Sequence, residues 1–340
     1  MAHAMACRGH ATTLAVNPEG VGRPAVEEVL DFYGLKPVRT LHVHVLPRRR
    51  TPASLAWRGL VAGWLLRHRR RGVVYARSKR YAREVLRMGT GVRLVLETHE
   101  VDSLLATERG EDPGPCRALE AEVLRGAAGV VANAPGTLRL LASVHPLLPP
   151  ATVVHNGTHP SALRGRPGPG EGVGYVGSVR PFKDLTTLAR AAARIEVPVH
   201  LVGATPGDPE VSRLQSVSGG RMVMEPPIPY RDVHARLAAF RVLVLPVGRG
   251  LFGEHLTSPL KLQDYFASGV PVVAADTPAV RDAAGDAVLY YRPGDAEGLS
   301  MAIARLYQDE GLRHALLGRV RVRTWAERAA EVDAFVEGLG

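Results

Sequence analysis

Short runs of β-branched and aliphatic residues recur along this chain, separated by stretches of helical periodicity, and that alternation leaves few architectures open. Strands that are apolar at consecutive positions must be buried on both faces, which calls for parallel sheets covered by helices on either side. In the first half the strand candidates are Thr12–Val16, Thr40–Val45, Val73–Ala76, Arg93–Glu97, Val130–Ala132 and Thr152–His155. Helical periodicity is clearest in Lys79–Met88 and Leu119–Arg125. The stretch Ser161–Gly172 has no periodicity and is dense in Gly and Pro, so it reads as a linker. A second alternation then begins: strand Val173–Val176, helix Leu185–Ile195, strands His200–Val202 and Arg221–Met224, helix Asp232–Phe240, strand Val242–Leu245, helix Leu260–Ala267 and strand Val270–Ala274.

The 340 residues are enough for two domains, each with its own core. The expected division is 1–160, a linker 161–172, a second domain 173–322 and a closing helix 323–340. Two α/β lobes would enclose a cleft, and ligands in open parallel sheets bind beyond the carboxyl ends of the strands. Residues 1–8 read as a helix capped by Gly9 ahead of the first strand candidate. A doubly wound domain usually opens on its central strand, so the N-terminal lobe is expected to lack its first strand.

The formal charge of +10 is unevenly spread. Residues 1–160 hold 22 Lys and Arg against 13 Asp and Glu, a surplus of nine. Residues 36–87 hold fifteen basic residues and one acidic residue, Glu84, with runs at Arg48, Arg49, Arg50 and at Arg67, Arg69, Arg70, Arg71. Such a surface suits acidic acceptors or anionic lipid headgroups, although a solvated face in an arginine-rich protein would look the same. No nucleic-acid-binding motif accompanies the charge, so nucleic acid is not an expected partner. Two cysteines, Cys7 and Cys116, make neither a disulfide framework nor a metal cluster. No run of about 18 apolar residues is present, and the expected location is the cytoplasm.

Two segments carry chemistry. In Gly174–Asp184 a strand runs into Gly177 and Ser178, then Arg180 and Lys183, then a helix start. Glycine permits close backbone approach, and cations beside a helix N-terminus suit a diphosphate, yet strand, Gly-Ser turn and lysine also occur together in ordinary α/β loops. In Glu254–Val273, Thr257 or Ser258 is placed to cap a helix with Pro259 at its first position, leaving free backbone N–H groups for an anion. Asp264 then lies about 1.4 turns and about 7.5 Å along that helix, where a carboxylate reaches ribose hydroxyls if a phosphate sits on the helix end. A well-capped core helix would show the same spacing.

Taken together these motifs resemble the family 4 retaining glycosyltransferases of the GT-B fold. The resemblance rests on Tyr175-Val176-Gly177-Ser178 with Lys183, on Asn156-Gly157, on Ser258-Pro259-Leu260-Lys261-Leu262, on Tyr265 through Val273, on the Arg292-Pro293-Gly294-Asp295 turn, and on Trp325-Ala326-Glu327-Arg328. It implies two Rossmann-like domains, a nucleotide-diphosphate-sugar donor as substrate, no further cofactor and no metal. It also implies that Lys183 contacts the donor phosphates and that the backbone from Ser258 to Lys261 faces the diphosphate. Asp264 would stand in for the family's ribose-binding Glu, His99 would lie near the transferred sugar, and Asn156 and Gly157 would lie between domains. The last helix would cross back to the first domain.

The departures are specific. The family's paired Glu residues stand eight apart, but eight before Asp264 is Leu256; Glu254 is the nearest substitute. Ser178 replaces a frequent Arg, leaving Arg180 as the substitute. The expected reaction is sugar transfer, with retention of configuration, to a carbohydrate, lipid-linked or small-molecule acceptor. A sugar-nucleotide epimerase of the same fold and an inactive sugar-nucleotide-binding protein are the rival readings.

Overall fold

A computed structural model describes residues 1–16, 25–45, 52–70, 72–159, 170–180 and 183–339, without the side chains of 45, 52–58 and 60. Arg48, Arg49, Arg50, Arg71 and positions 161–169 of the expected linker lie outside the described residues. The chain forms two compact units, one comprising Met1–Val154 with Ala326–Gly340 and the other His155–Trp325.

The first unit runs α1 (Ala2–Cys7), β1 (Thr12–Val16), α2 (Val26–Phe32), β2 (Leu41–Val45), α3 (Pro52–His68), β3 (Val73–Ala76), α4 (Lys79–Arg87), β4 (Arg93–Thr98), α5 (Asp102–Glu108), α6 (Gly114–Gly126), β5 (Gly129–Ala132), α7 (Pro135–Val144) and β6 (Ala151–Val153). Its strands make two separate parallel sheets, β1-β2 and β3-β4-β5-β6. Val95, Leu96, Val130 and Val131 are fully buried, as strands covered on both faces must be. The unit is completed by α15 (Trp325–Glu337), whose Val332 and Phe335 pack on Val95, Val131 and Val154. A Cβ on Gly129 would lie 3.0 Å from the Phe335 ring, so glycine lets this helix lie close to the sheet. Polar contacts fix the helix along its length. Arg8 and His10 both bond the Asp333 carboxylate at 2.9 Å, and Arg328 donates to Glu97 at 2.7 Å.

The second unit comprises β7 (Val173–Val176), α8 (Leu185–Ala192), β8 (Val199–Val202), α9 (Pro209–Val217), β9 (Met222–Glu225), α10 (Tyr230–Ala238), β10 (Val242–Leu245), a π-helical turn (Phe252–Leu256), α11 (Leu260–Ser268), β11 (Val272–Ala275), α12 (Pro278–Ala284), β12 (Leu289–Tyr291), α13 (Ala296–Gln308) and α14 (Glu310–Leu317). Its sheet is parallel throughout, in the order β12-β11-β10-β7-β8-β9. β7 and β10 are adjacent but far apart in sequence, because the winding reverses between them. That reversal opens a crevice at their carboxyl ends, where doubly wound sheets hold ligands.

The chain enters the second unit at His155, earlier than the expected linker at 161–172. Asn156 and Thr158 are the reason: both are hydrogen-bonded into this unit, and Thr158 pairs with Thr324 as a parallel bridge. β11 begins at Val272, after the expected Val270, since Gly269 ends α11 at φ +70 and Pro271 has no N–H for the ladder.

Candidate functional site

The crevice of the second unit is built from the loops that leave β7 and β10. β7 ends in Gly177 at φ +149, a conformation that side chains disfavour. A Cβ there would fall 1.8 Å from Lys261 Nζ, and one on Gly203, after β8, would fall 2.4 Å from the Gly177 carbonyl. Both glycines are therefore required by the close approach of backbone and lysine.

Lys261 enters from the first turn of α11. Its Nζ donates to the Tyr175 hydroxyl at 2.5 Å and lies 3.9 Å from the centre of that ring, and the hydroxyl in turn donates to the Ser178 carbonyl at 3.0 Å. Burial, reinforced by the like charge of Lys183 and opposed by Asp264, holds the Lys261 ammonium well below its ordinary pKa. Burial lowers Lys183 as well. Two desolvated lysines beside a glycine-lined strand end make a site that gains most from an anion of more than one charge. Arg180 is exposed on the same loop, and its carbonyl accepts the Lys183 N–H at 3.0 Å.

Helix α11 is nine residues long, and its N-terminal residue carries no side-chain cap. Neither Thr257 nor Ser258 caps it, contrary to the sequence expectation, because the Ser258 side chain is engaged elsewhere. Asn156 Nδ2 donates to Ser258 Oγ at 3.1 Å and to its carbonyl at 3.3 Å. Pro259 precedes the first helical residue, Leu260, which is exposed. Gly157 lies against the Thr324 backbone, for a Cβ there would meet the Thr324 carbonyl at 2.5 Å.

Asp264 is buried, and its Oδ1 accepts from the Thr158 hydroxyl at 2.6 Å, the Tyr230 hydroxyl at 2.7 Å and His234 Nε2 at 3.2 Å. These partners lie 106, 34 and 30 residues from it in sequence. Sequence reasoning singled out Asp264 and missed all three, since nothing local marks them. The Tyr265 hydroxyl, which accepts the Val176 N–H at 3.2 Å, pins α11 to β7. Asp184, left-handed at φ 45, receives the Thr187 hydroxyl and the Gly294 N–H, which ties the Arg292–Asp295 turn to the start of α8.

Leu256, at the family's first Glu position, is fully buried in the second unit. Glu254 lies in the preceding π-helical turn, a local geometry frequent at functional sites. In the first unit, His99 follows β4 and its Nε2 lies 2.6 Å from Glu97 Oε1. Burial pushes the Glu97 carboxyl up, but the His99 hydrogen bond and the Arg328 charge outweigh it and hold the group at about 2. Arg328 belonged to a recognised motif, whereas its partner Glu97, 231 residues away, carried no signal. Among the described residues no group of three or more His, Cys, Asp or Glu is placed to hold a metal ion, and no helix is long and apolar enough to cross a membrane.

The architecture is that of the GT-B glycosyltransferases, two Rossmann-like units of parallel sheet. Residues 170–309, which contain the β7 and β10 crevice, match the family "Glycosyl transferases group 1". No curated protein matches the chain in sequence. Among solved structures it is similar to sucrose-phosphate synthase (tll1590) from Thermosynechococcus elongatus, with a TM-score of 0.78 and 16% identity over 99% of this chain and 91% of that one. Anabaena Alr3699/HepE in complex with UDP and glucose gives 0.75 and 14% over 99% and 94%. A glycosyltransferase from Rickettsia africae gives 0.68 and 14% over 99% and 92%.

Proposed function

We propose that this chain is a retaining glycosyltransferase that moves a sugar from a nucleotide-diphosphate-sugar donor to an acceptor hydroxyl. The observation that carries the reading is the placement of Lys183 and Lys261 at the switch point of the second sheet, inside the stretch that matches the group 1 family. Breaking the bond between anomeric carbon and diphosphate leaves negative charge on the departing phosphate. Lys183, Lys261, Arg180 and the N–H groups at the start of α11 supply fixed positive potential for that charge. Ser178 and the Ser258–Leu260 backbone would line the diphosphate, and Asp264 would take the ribose. His99, held by Glu97, and Glu254 are proposed as contacts of the transferred sugar. That HepE was solved with UDP and with UDP-glucose supports a nucleotide sugar as donor.

The acceptor is proposed to be a carbohydrate, a lipid-linked sugar or a small molecule. Peripheral contact with an anionic membrane is proposed for the first unit. There α3 exposes Trp64 and Leu66 just ahead of the exposed Arg67, Arg69 and Arg70. The test of the donor reading is a screen of nucleotide sugars for release of nucleoside diphosphate, with and without simple acceptors. Release from one donor in the screen, lost in Lys183→Ala, supports the reading; release from none defeats it.

A further inference from the structure

The Asp264 carboxylate is held from one side only. Thr158, Tyr230 and His234 all donate to Oδ1, and among the described residues none donates to Oδ2. The Thr158 and Tyr230 hydroxyls by themselves occupy the two lone pairs of that oxygen, and His234 Nε2, also 3.3 Å from the Thr158 hydroxyl, lies against the same pair, so Oδ1 has no capacity left for a ligand. The donors come from two elements: Thr158 from the segment where the chain enters the unit, Tyr230 and His234 from successive turns of α10. Thr158 is fully buried, and its 2.6 Å bond is of charge-assisted length. Tyr230 is itself packed edge-on against His159 and His234, with ring centres 5.8 and 5.5 Å away. Rotation of the carboxylate about its Cβ–Cγ bond would break all three bonds at once. The side chain still keeps 12% of its exposure, so the group is reachable.

We propose that Thr158 and Tyr230 are positioning residues that anchor the Asp264 carboxylate by Oδ1 and thereby present Oδ2 to a vicinal diol, the 2′ and 3′ hydroxyls of a nucleotide's ribose. The proposal rests on the donor-site reading above. An aspartate is one methylene shorter than a glutamate and reaches less far from its helix, so fixing its direction matters more. A carboxylate oxygen aimed at both hydroxyls of a diol loses part of that interaction when the 2′ hydroxyl is removed. The anchoring residues thus set the preference for ribonucleotides over deoxyribonucleotides without touching the ligand.

The experiment is equilibrium binding to the full chain by calorimetry. UDP, GDP and ADP are compared first, and the tightest is then measured beside its 2′-deoxy form and beside inorganic pyrophosphate. Wild type is expected to prefer the ribonucleotide by about tenfold or more, as loss of a hydrogen bond to a charged group implies. Thr158→Val and Tyr230→Phe should each reduce that preference toward the value for Asp264→Asn, with pyrophosphate affinity changed by less than about twofold. Tyr230→Phe removes one oxygen from a partly exposed ring and serves as the second variant should Thr158→Val fail to fold. A purely structural role would leave the ribose preference intact in every variant that folds, and that result overturns the proposal. Should Asp264→Asn itself keep the full preference, the ribose reading of Asp264 falls; should none of the three nucleotides bind, the donor-site reading falls.

Discussion

Lys261 Nζ donates to the Tyr175 hydroxyl at 2.5 Å, and Gly177 has no side chain because a Cβ there would lie 1.8 Å from that same nitrogen. The lysine is thus held by a strand residue two positions before the glycine that makes room for it. Its ammonium form is disfavoured by burial and by Lys183, and a bound diphosphate would reverse both effects.

Nucleoside diphosphate binding is therefore expected to take up protons. The sign follows from the depressed pKa: in the free protein Lys261 loses its proton below the ordinary lysine range, and an anion raises that pKa again. Once the terminal phosphate of the nucleotide is fully ionised, affinity should fall as pH rises further through the lowered titration range of Lys261. Calorimetry in two buffers of different ionisation enthalpy measures the uptake directly. Identical heats in both, and an affinity independent of pH, would show that the amine is already charged before the ligand arrives.

Gly177→Ala should disable the site more than the fold. Its Cβ must displace the Lys261 side chain, the flexible partner in the clash, so the core strands can remain in place. The expected result is loss of nucleotide binding by about tenfold or more, from misplacing one charge-assisted contact. Far-ultraviolet circular dichroism should remain that of wild type. Retained affinity would mean that Lys261 does not touch the ligand.

Acid should expose the Glu97 to Arg328 pair. Glu97 is held at about 2 against an ordinary value of 4.5, so the stability it contributes is present above the ordinary value and is lost as pH falls toward about 2. Glu97→Gln leaves Arg328 buried without its counter-charge, at a cost of about 3–5 kcal/mol at neutral pH. Denaturant unfolding at several pH values reads the difference between wild type and variant. It should shrink steadily as the solution becomes more acidic; a difference that stays constant would assign the loss to packing alone.

The surface around α3 should bind anionic vesicles at low ionic strength and release them as salt rises, because the charges of Arg67, Arg69 and Arg70 are screened beyond about 8 Å at physiological salt. Trp64→Ala should weaken adsorption at every salt concentration, since it removes apolar contact. Co-sedimentation with vesicles of phosphatidylglycerol and phosphatidylcholine is the measurement. No adsorption at low salt would leave these arginines as solvated surface.

Much of the second unit's sheet was readable because its central strands are short and carry no charged residue. Val173–Val176 and Val242–Leu245 are buried at every position, which is the condition under which an unbroken apolar run means a covered parallel strand. Gly269 was readable as a helix end because glycine takes the left-handed turn at φ +70 without cost. The helix cap was not readable, since Ser258 is drawn off by Asn156, which lies 102 residues earlier. The Asp264 network was out of reach for the same reason: no spacing rule connects a threonine on one segment and a tyrosine and histidine on another helix to one carboxylate. The entry into the second unit was placed too late because composition marks where a chain is Gly- and Pro-rich, whereas hydrogen bonds from Asn156 and Thr158 decide which unit holds it.

The central claim is that the lysine pair at the β7 and β10 switch point receives the diphosphate of a nucleotide. Calorimetric titration of UDP, GDP and ADP into wild type, Lys183→Ala and Lys261→Met tests it most directly, with thermal unfolding recorded for each variant. The account predicts that wild type binds one of the three and that each lysine variant, folded as wild type, binds it at least about tenfold more weakly. Binding of equal strength in both variants, or no binding by wild type, would contradict it.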